Sequence, residues 1–208
     1  VEVMIAASRK EKVEDRQGLA EAMGLTPMVM DVESYAARLA AGRALERLPG
    51  GGANAVVALF EVGGLTSTMQ VLRDDELLYE RDQVFGGAQL TQLLTRQYGF
   101  TAEEAEAKKR AGELPEDYAD VVLGPFVETL AQEVERALNR VDLILLAGGS
   151  ASLHGLTEVI TEHTGCPCQV LNPFDGMALG RAVREQKMLR EAPSYLTACG
   201  LAMRRFLP

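Results

Sequence analysis

The chain has 208 residues, 47% of them hydrophobic and 25% charged, with 30 acidic against 21 basic residues and a net charge of −9. That length can bury a sizeable core as one large or two small domains, and the composition is that of an ordinary soluble globular protein. The negative balance argues against nucleic acid as the main partner, and no apolar run approaches the roughly 20 residues that cross a bilayer, so membrane association is expected only through another protein.

Val1–Ala7 reads as a strand with Val1, Val3 and Ile5 on one face. Ser8 is placed to cap a helix that carries Val13, Leu19 and Met23 and ends at Gly24, and Pro27–Val32 predicts a second strand, completing a βαβ-like unit. Glu33–Leu48 gives a helix rich in alanine and leucine, stopped by Pro49 and glycines 50 to 52, the best candidate for a domain boundary. Ala55–Phe60 is apolar, Gly63 and Gly64 form a turn, and Thr66–Leu72 alternates as a strand should, so the three make a hairpin with a glycine tip. Leu77–Phe85 supplies a third strand. Gly86 and Gly87 then open a helix through Leu90, Leu93 and Leu94 that ends at Gly99.

Thr101 and Glu104 form a capping box at the start of a charged helix. Within it Glu106 and Lys109 share a face, which the residues alone read most simply as a solvated ion pair. Phe126, Val127, Leu130, Val134 and Leu138 define a long amphipathic helix. Leu143–Leu146 is a short continuous apolar run suited to a buried strand, and Ala147-Gly148-Gly149-Ser150 turns from it toward a helix carrying Leu156, Val159 and Ile160 and ending near Gly165. Glycines there let a ligand approach the backbone, and a following helix would offer N–H groups to an anion. The tail holds a strand at Gln169–Leu171, the loop Asn172–Met177, and a final helix starting near Pro193 and including Leu196, Cys199 and Met203.

Three cysteines, Cys166, Cys168 and Cys199, give no disulfide framework and point to a reducing compartment. His154, His163, Cys166 and Cys168 lie close in sequence, so a zinc-dependent interaction module is a competing expectation. Against it, Cys-Pro-Cys is tighter than the usual metal knuckle, and the helix–turn–strand pattern needs no metal.

The glycine turns at 63–64 and 148–150 stand in complementary places. A hairpin tip with bare N–H groups and the hydroxyls of Thr66, Ser67 and Thr68 can cradle phosphates, while the second turn can pass beside a nucleoside. Together they predict a nucleotide cleft, although each pair alone is equally well explained as ordinary turn chemistry. The arrangement resembles the actin/Hsp70/FtsA ATPase superfamily. The stretches AASRKEKVED, VMDVESYAARLA, LLYERDQVFGGAQLTQLL, GELPEDY, LILLAGGSASLHGL, NPFDGMAL and APSYLTACGLAMR, in that order, are similar to the PilM family, the actin-like proteins of type IV pilus assembly.

The resemblance implies an α/β actin-like (ribonuclease H-like) ATPase fold with mixed sheets flanked by helices, in a fragment lacking the first part of lobe one. Residues 1–49 would be the end of the small FtsA-type subdomain plus a connecting helix, 50–192 the second lobe with a helical outer portion at 101–140, and 193–208 a final helix returning to the first lobe. Gly63, Gly64, Thr66, Ser67 and Thr68 match the second phosphate loop, and Gly148, Gly149 and Ser150 match the adenosine loop. Gly86 and Gly87 fall at the cleft end of the third strand, and Glu106 and Lys109 match a pattern that holds ribose hydroxyls. Glu61 stands where the family usually has aspartate, a candidate for contact with Mg2+ through water. The implied ligand is ATP or ADP with Mg2+ in the complete protein; binding by this chain alone is doubtful on this reading, because part of the cleft would come from the absent lobe.

The implied role is a nucleotide-responsive cytoplasmic scaffold, peripheral to the inner membrane, that binds the cytoplasmic N-terminal segment of PilN and contacts PilC-type and motor ATPase components, with weak ATPase activity at most. An ATP-hydrolysing or phosphotransfer enzyme of the same fold is the alternative. Loss of an upstream half would expose apolar surface, so a homodimer is also an expectation.

Overall fold

The computed structural model describes residues 5–48, 52–74, 76–137 and 141–206. Its centre is a five-stranded sheet of order β3-β2-β1-β4-β5. The strands are β1 (Val56–Val62), β2 (Ser67–Arg73), β3 (Glu76–Gln83), β4 (Leu143–Ala147) and β5 (Cys168–Val170). The first three form an antiparallel meander, and β4 and β5 add in parallel on the other side of β1. A mixed sheet of this kind needs helical crossovers for its parallel half.

The continuous apolar runs of β1 and β4 follow from burial on both faces. Side chains alternate across the sheet, so Ala58, Phe60, Val62, Ile144 and Leu146 face one helical layer. Val57, Leu59, Leu145 and Ala147 face the other. The first layer contains α3 (Gly87–Tyr98), α5 (Gly124–Ala137) and α6 (Leu156–Thr164), which contribute Leu90, Leu94, Phe126, Val127, Leu156 and Ile160. Outside it, α4 (Ala102–Ala111) packs against α3. The second layer is α2 (Glu33–Leu45) with α8 (Leu196–Met203), packed through Ala37, Ala40, Ala41, Leu196 and Cys199. These two helices approach so closely that a Cβ on Gly200 would run into the carbonyl oxygen of Ala36.

The fold class stands as expected, and several local readings are corrected. Residues 1–4 lie outside the described residues, and residues 5–7 and Pro27–Val32 carry no strand, so no βαβ unit forms among the described residues. An extended segment becomes a strand only when a ladder partner accepts its backbone groups, and among the described residues none does so at either place. Between them α1 (Lys10–Ala22) buries no residue, and its N-cap is Arg9 rather than Ser8. Helix α2 ends at Leu45, before the proline. Of the boundary expected at Pro49 and glycines 50 to 52, residues 49–51 lie outside the described residues, as does Leu138 at the end of the long helix.

A π-helical turn, Ala119–Leu123, precedes α5. The glycine turn after β4 does not lead straight into a helix, because α6 begins only at Leu156, after Gly155 in the left-handed region. At the C-terminal end a 3-10 turn, Ala192–Tyr195, contains Pro193, and the α-helix starts at Leu196. Helix α7 (Glu185–Glu191) had no expectation at all.

Candidate functional site

Three glycine turns meet at one end of the sheet and interlock through their backbones. The β1–β2 hairpin closes with Gly63 N–H donating to Thr66 O at 3.1 Å, and a Cβ on Gly63 would stand 2.5 Å from that oxygen. The first amides of α3 dock on this tip: Gly87 N–H donates to Gly63 O at 2.9 Å and Ala88 N–H to Gly64 O at 2.8 Å. The N-terminal donors of α3 that a helix normally leaves open are therefore spent within the protein. Gly86 lies flush on the same carbonyls, since a Cβ there would be 2.6 Å from Gly63 O.

The third turn is gripped from both sides. Ser150 N–H donates to Val62 O at 3.1 Å, its hydroxyl donates to Gly63 O at 3.3 Å, and Gly148 N–H donates to Pro193 O at 2.8 Å. Gly148 has φ +89°, and its Cβ would meet Val62 O at 2.5 Å, so both conformation and space demand glycine. Gly149 differs, with no heavy atom within 4 Å of where its Cβ would be.

Behind these turns lies the Glu106–Lys109 pair. The Lys109 ammonium, with only 7% of its side chain exposed, donates to Glu106 Oε1 at 2.8 Å, Thr91 Oγ1 at 2.8 Å and Gly87 O at 3.0 Å. Those three bonds use all its protons. Thr91 is also hydrogen-bonded to Glu106. Burial tends to raise the Glu106 carboxyl, but the hydrogen bonds from Lys109 and Thr91 and the charges of Lys109 and Arg110 outweigh it and hold the group below its usual range. The carboxylate stays 40% exposed, so it is the member of the pair that a ligand can reach. Lys109 orients it and ties α4 to the start of α3.

These elements enclose a cleft of about 630 Å³. Its lining brings together Gly64, Gly87, Glu106, Lys109, Gly148, Gly149 and Ser150. Thr66 is exposed at the hairpin tip, Ser67 is buried with its hydroxyl donated to Phe85 O at 2.7 Å, and Thr68 donates to Asp82 Oδ1 at 2.7 Å. Neither those three nor Gly63 and Gly86 line the cleft; the two glycines form the backbone seat beneath it.

Glu61 lies on the α2/α8 side of β1, where Thr197 Oγ1 donates to its Oε2 at 3.4 Å. Burial and the neighbouring charge of Glu33 push its carboxyl up to about 7, against the lowering effect of Thr197. No group of three or more histidine, cysteine, aspartate or glutamate side chains converges as a metal site among the described residues, which removes the zinc reading of His154, His163, Cys166 and Cys168. Burial instead drives the Cys168 thiol up to about 12.

The lining also includes residues that sequence reasoning did not single out for the site, notably Arg110, Leu153, Arg190, Glu191 and Ser194. Arg110 directly follows Lys109 on α4, a proximity that could have flagged it. Arg190 and Glu191 belong to α7, whose lack of an apolar face gave no signal.

The whole of this architecture lies within one family match. Residues 1–206 match the family described as type IV pilus assembly protein PilM. The chain belongs to the PilM family. It is also similar to a PilM structure from a PilM–PilN type IV pilus biogenesis complex, at 26% identity and a TM-score of 0.78, covering 97% of this chain and 60% of that one. This member thus spans about three fifths of the length of the PilM chain it matches. The fold recurs in the ethanolamine utilization protein EutJ from Carboxydothermus hydrogenoformans, at 20% identity and a TM-score of 0.68, covering 95% of this chain and 62% of that one. It recurs again in Spiroplasma citri MreB5 bound to AMPPNP, at 14% identity and a TM-score of 0.61, covering 95% and 65% of the two chains. The PilM-family chain is therefore actin-like in fold, and none of its described helices is long and apolar enough to cross a membrane.

Proposed function

We propose that this chain is the nucleotide-binding part of an actin-like scaffold of type IV pilus assembly. The observation that carries the reading is the convergence of the 63–64, 86–87 and 148–150 turns with Glu106 and Lys109 around one cleft, in a chain of the PilM family. The cleft volume falls within the range of about 300–1,000 Å³ usual for small-ligand sites. Gly149 is open to the cleft and Gly64 is exposed, as a closely approaching phosphate or nucleoside requires. In this reading Glu106 accepts from ribose hydroxyls, Lys109 positions it, and Thr66 at the hairpin tip is the hydroxyl free to reach a phosphate. Ser67 and Thr68 shape the hairpin from within the sheet.

Mg2+ would arrive with the nucleotide, since this ion keeps several waters and uses one or two carboxylates plus substrate phosphates. Glu61 is the candidate carboxylate, and since it does not line the cleft but lies on the α2/α8 side of β1, it would act only through water. The ligand state would set how the lobes of the complete protein close, and so its affinity for PilN, the partner in the matched complex. Residues 1–49 and the final helix would belong with the first lobe, and the protein would sit in the cytoplasm, held at the inner membrane by its partners.

The test is isothermal titration of this chain with Mg-ATP and Mg-ADP, beside a Gly149→Leu variant. Binding by the parent and at least about tenfold weaker binding by the variant, with unchanged circular dichroism, are expected, because a filled cleft loses its close backbone approach. Equal affinity in both would remove the adenosine-loop assignment.

A further inference from the structure

Helix α7 is the common wall of two concavities. Its inner side presents Arg190 and Glu191 to the cleft. Its outer side borders a groove of about 310 Å³ whose lining includes Val183, Met188, Tyr195, Arg184, Lys187 and, again, Glu191. Glu191 is the pin of this wall: Tyr195 O–H donates to its Oε2 at 3.3 Å, and the Lys187 and Arg190 cations stand 4.0 and 3.8 Å from its oxygens. The same stretch of backbone holds the glycine loop. Ser152 Oγ donates to Arg190 O at 3.5 Å and Gly148 N–H to Pro193 O at 2.8 Å, so the end of α7 and the 3-10 turn after it are tied to residues 148–152.

The chemistry of the outer groove is specific. Its lining carries two cations, Arg184 and Lys187, against the single carboxylate of Glu191, in a chain whose net charge is −9. Arg184 is exposed, and the Lys187 side chain is 62% exposed, with a long 4.0 Å contact to Glu191. Between these cations the groove offers the apolar surfaces of Val183 and Tyr195, each 39% exposed, and of half-buried Met188. A cationic rim attracts carboxylates, and a concave apolar floor takes one bulky side chain. A flat anionic bilayer satisfies the rim and leaves the floor empty.

We propose that the outer groove of α7 docks an acidic peptide segment with a single bulky apolar anchor, and that its occupancy is linked through α7 to the ligand in the cleft. The docking stands on the groove alone, whereas the linkage rests on the nucleotide reading.

The experiment is fluorescence anisotropy of the chain with a fluorescein-labelled EDSFED peptide at low salt. Saturable binding is expected, weakened about tenfold or more by Arg184→Glu and by Lys187→Glu, and to a similar degree when the peptide is changed to EDSSED. Lys187→Ala, with circular dichroism of every variant, guards against loss of fold. Absent binding, or binding indifferent to these changes, overturns the docking. Co-sedimentation with phosphatidylglycerol vesicles that the same substitutions abolish, without peptide binding, overturns it in favour of a membrane surface.

Addition of Mg-ATP is expected to shift the peptide affinity about fivefold or more in the parent and not in Gly149→Leu. An unchanged peptide affinity while titration shows ATP bound overturns the linkage. Failure of ATP to bind overturns the nucleotide reading and the linkage together, and leaves peptide docking supported or refuted by the first arm.

Discussion

The ammonium of Lys109 donates to the Gly87 carbonyl at 3.0 Å, across 22 residues of sequence, and this bond fixes α4 to the glycine turn that opens α3. The pair Glu106–Lys109 is consequently not a solvated surface bridge. Replacing Lys109 with methionine leaves the half-buried Glu106 carboxylate without its cation and takes one donor from Thr91 and from the Gly87 carbonyl, which keep their bonds to each other and to Glu106. Loss of roughly 1–3 kcal/mol of stability is expected, the usual worth of hydrogen bonds to a charged group, measured by urea unfolding. Glu106→Gln keeps the shape and a hydrogen-bond acceptor, so it is expected to cost less stability and to show its effect in nucleotide affinity.

The two glycines of the third turn are expected to separate stability from binding. Gly148→Ala places a Cβ against Val62 O at a positive φ, and should cost about 2 kcal/mol or more. Gly149→Ala enters open space and should leave the unfolding midpoint nearly unchanged. Equal destabilisation by the two would contradict the placement of the loop.

Glu61 makes a pH-dependent contribution with a definite sign. Its carboxyl is raised to about 7 in the folded chain from its ordinary value of 4.5, so between those values the folded state binds more protons than the unfolded one. Its contribution therefore favours folding at low pH and is lost as pH rises from about 4.5 through about 7. In the presence of EDTA, Glu61→Gln should remove this component, gaining stability relative to the parent at pH 8 more than at pH 5. A parallel pair of stability curves in urea would show that Glu61 does not titrate in this way.

The α2–α8 contact is expected to tolerate no side chain at its centre. Gly200→Val drives a branched side chain into the Ala36 backbone, and a loss of at least about 3 kcal/mol, or failure to fold, is expected. Gly99→Ala is the milder control, because its added Cβ meets open space and only its left-handed φ resists substitution.

How much of this was legible in the sequence depends on whether the signal was local. The runs Ala55–Phe60 and Leu143–Leu146 announced buried strands because both of their faces are covered. Thr101 and Glu104 announced a capping box, and the structure has both of its bonds, at 3.2 and 2.8 Å. Pro27–Val32 has strand-forming residues but no partner strand among the described residues, and pairing is a property of the neighbour rather than of the segment. Helix α7 has no buried residue and hence no apolar period. The glycine turns were visible individually. That Gly87 N–H docks on Gly63 O, that Ser67 turns inward to Phe85, and that Thr91 completes the Lys109 shell required elements distant in sequence to be brought together. Arg190 and Glu191 were missed for the same reason.

The most direct test of the central claim is an amide nitrogen–proton NMR titration of the 15N-labelled chain with Mg-ATP. The account predicts saturable shifts concentrated at Gly64, Gly87, Ala88, Gly149, Ser152 and Leu153, the backbone that lines the cleft. No shifts at saturating nucleotide, or shifts confined to residues away from these turns, would contradict it.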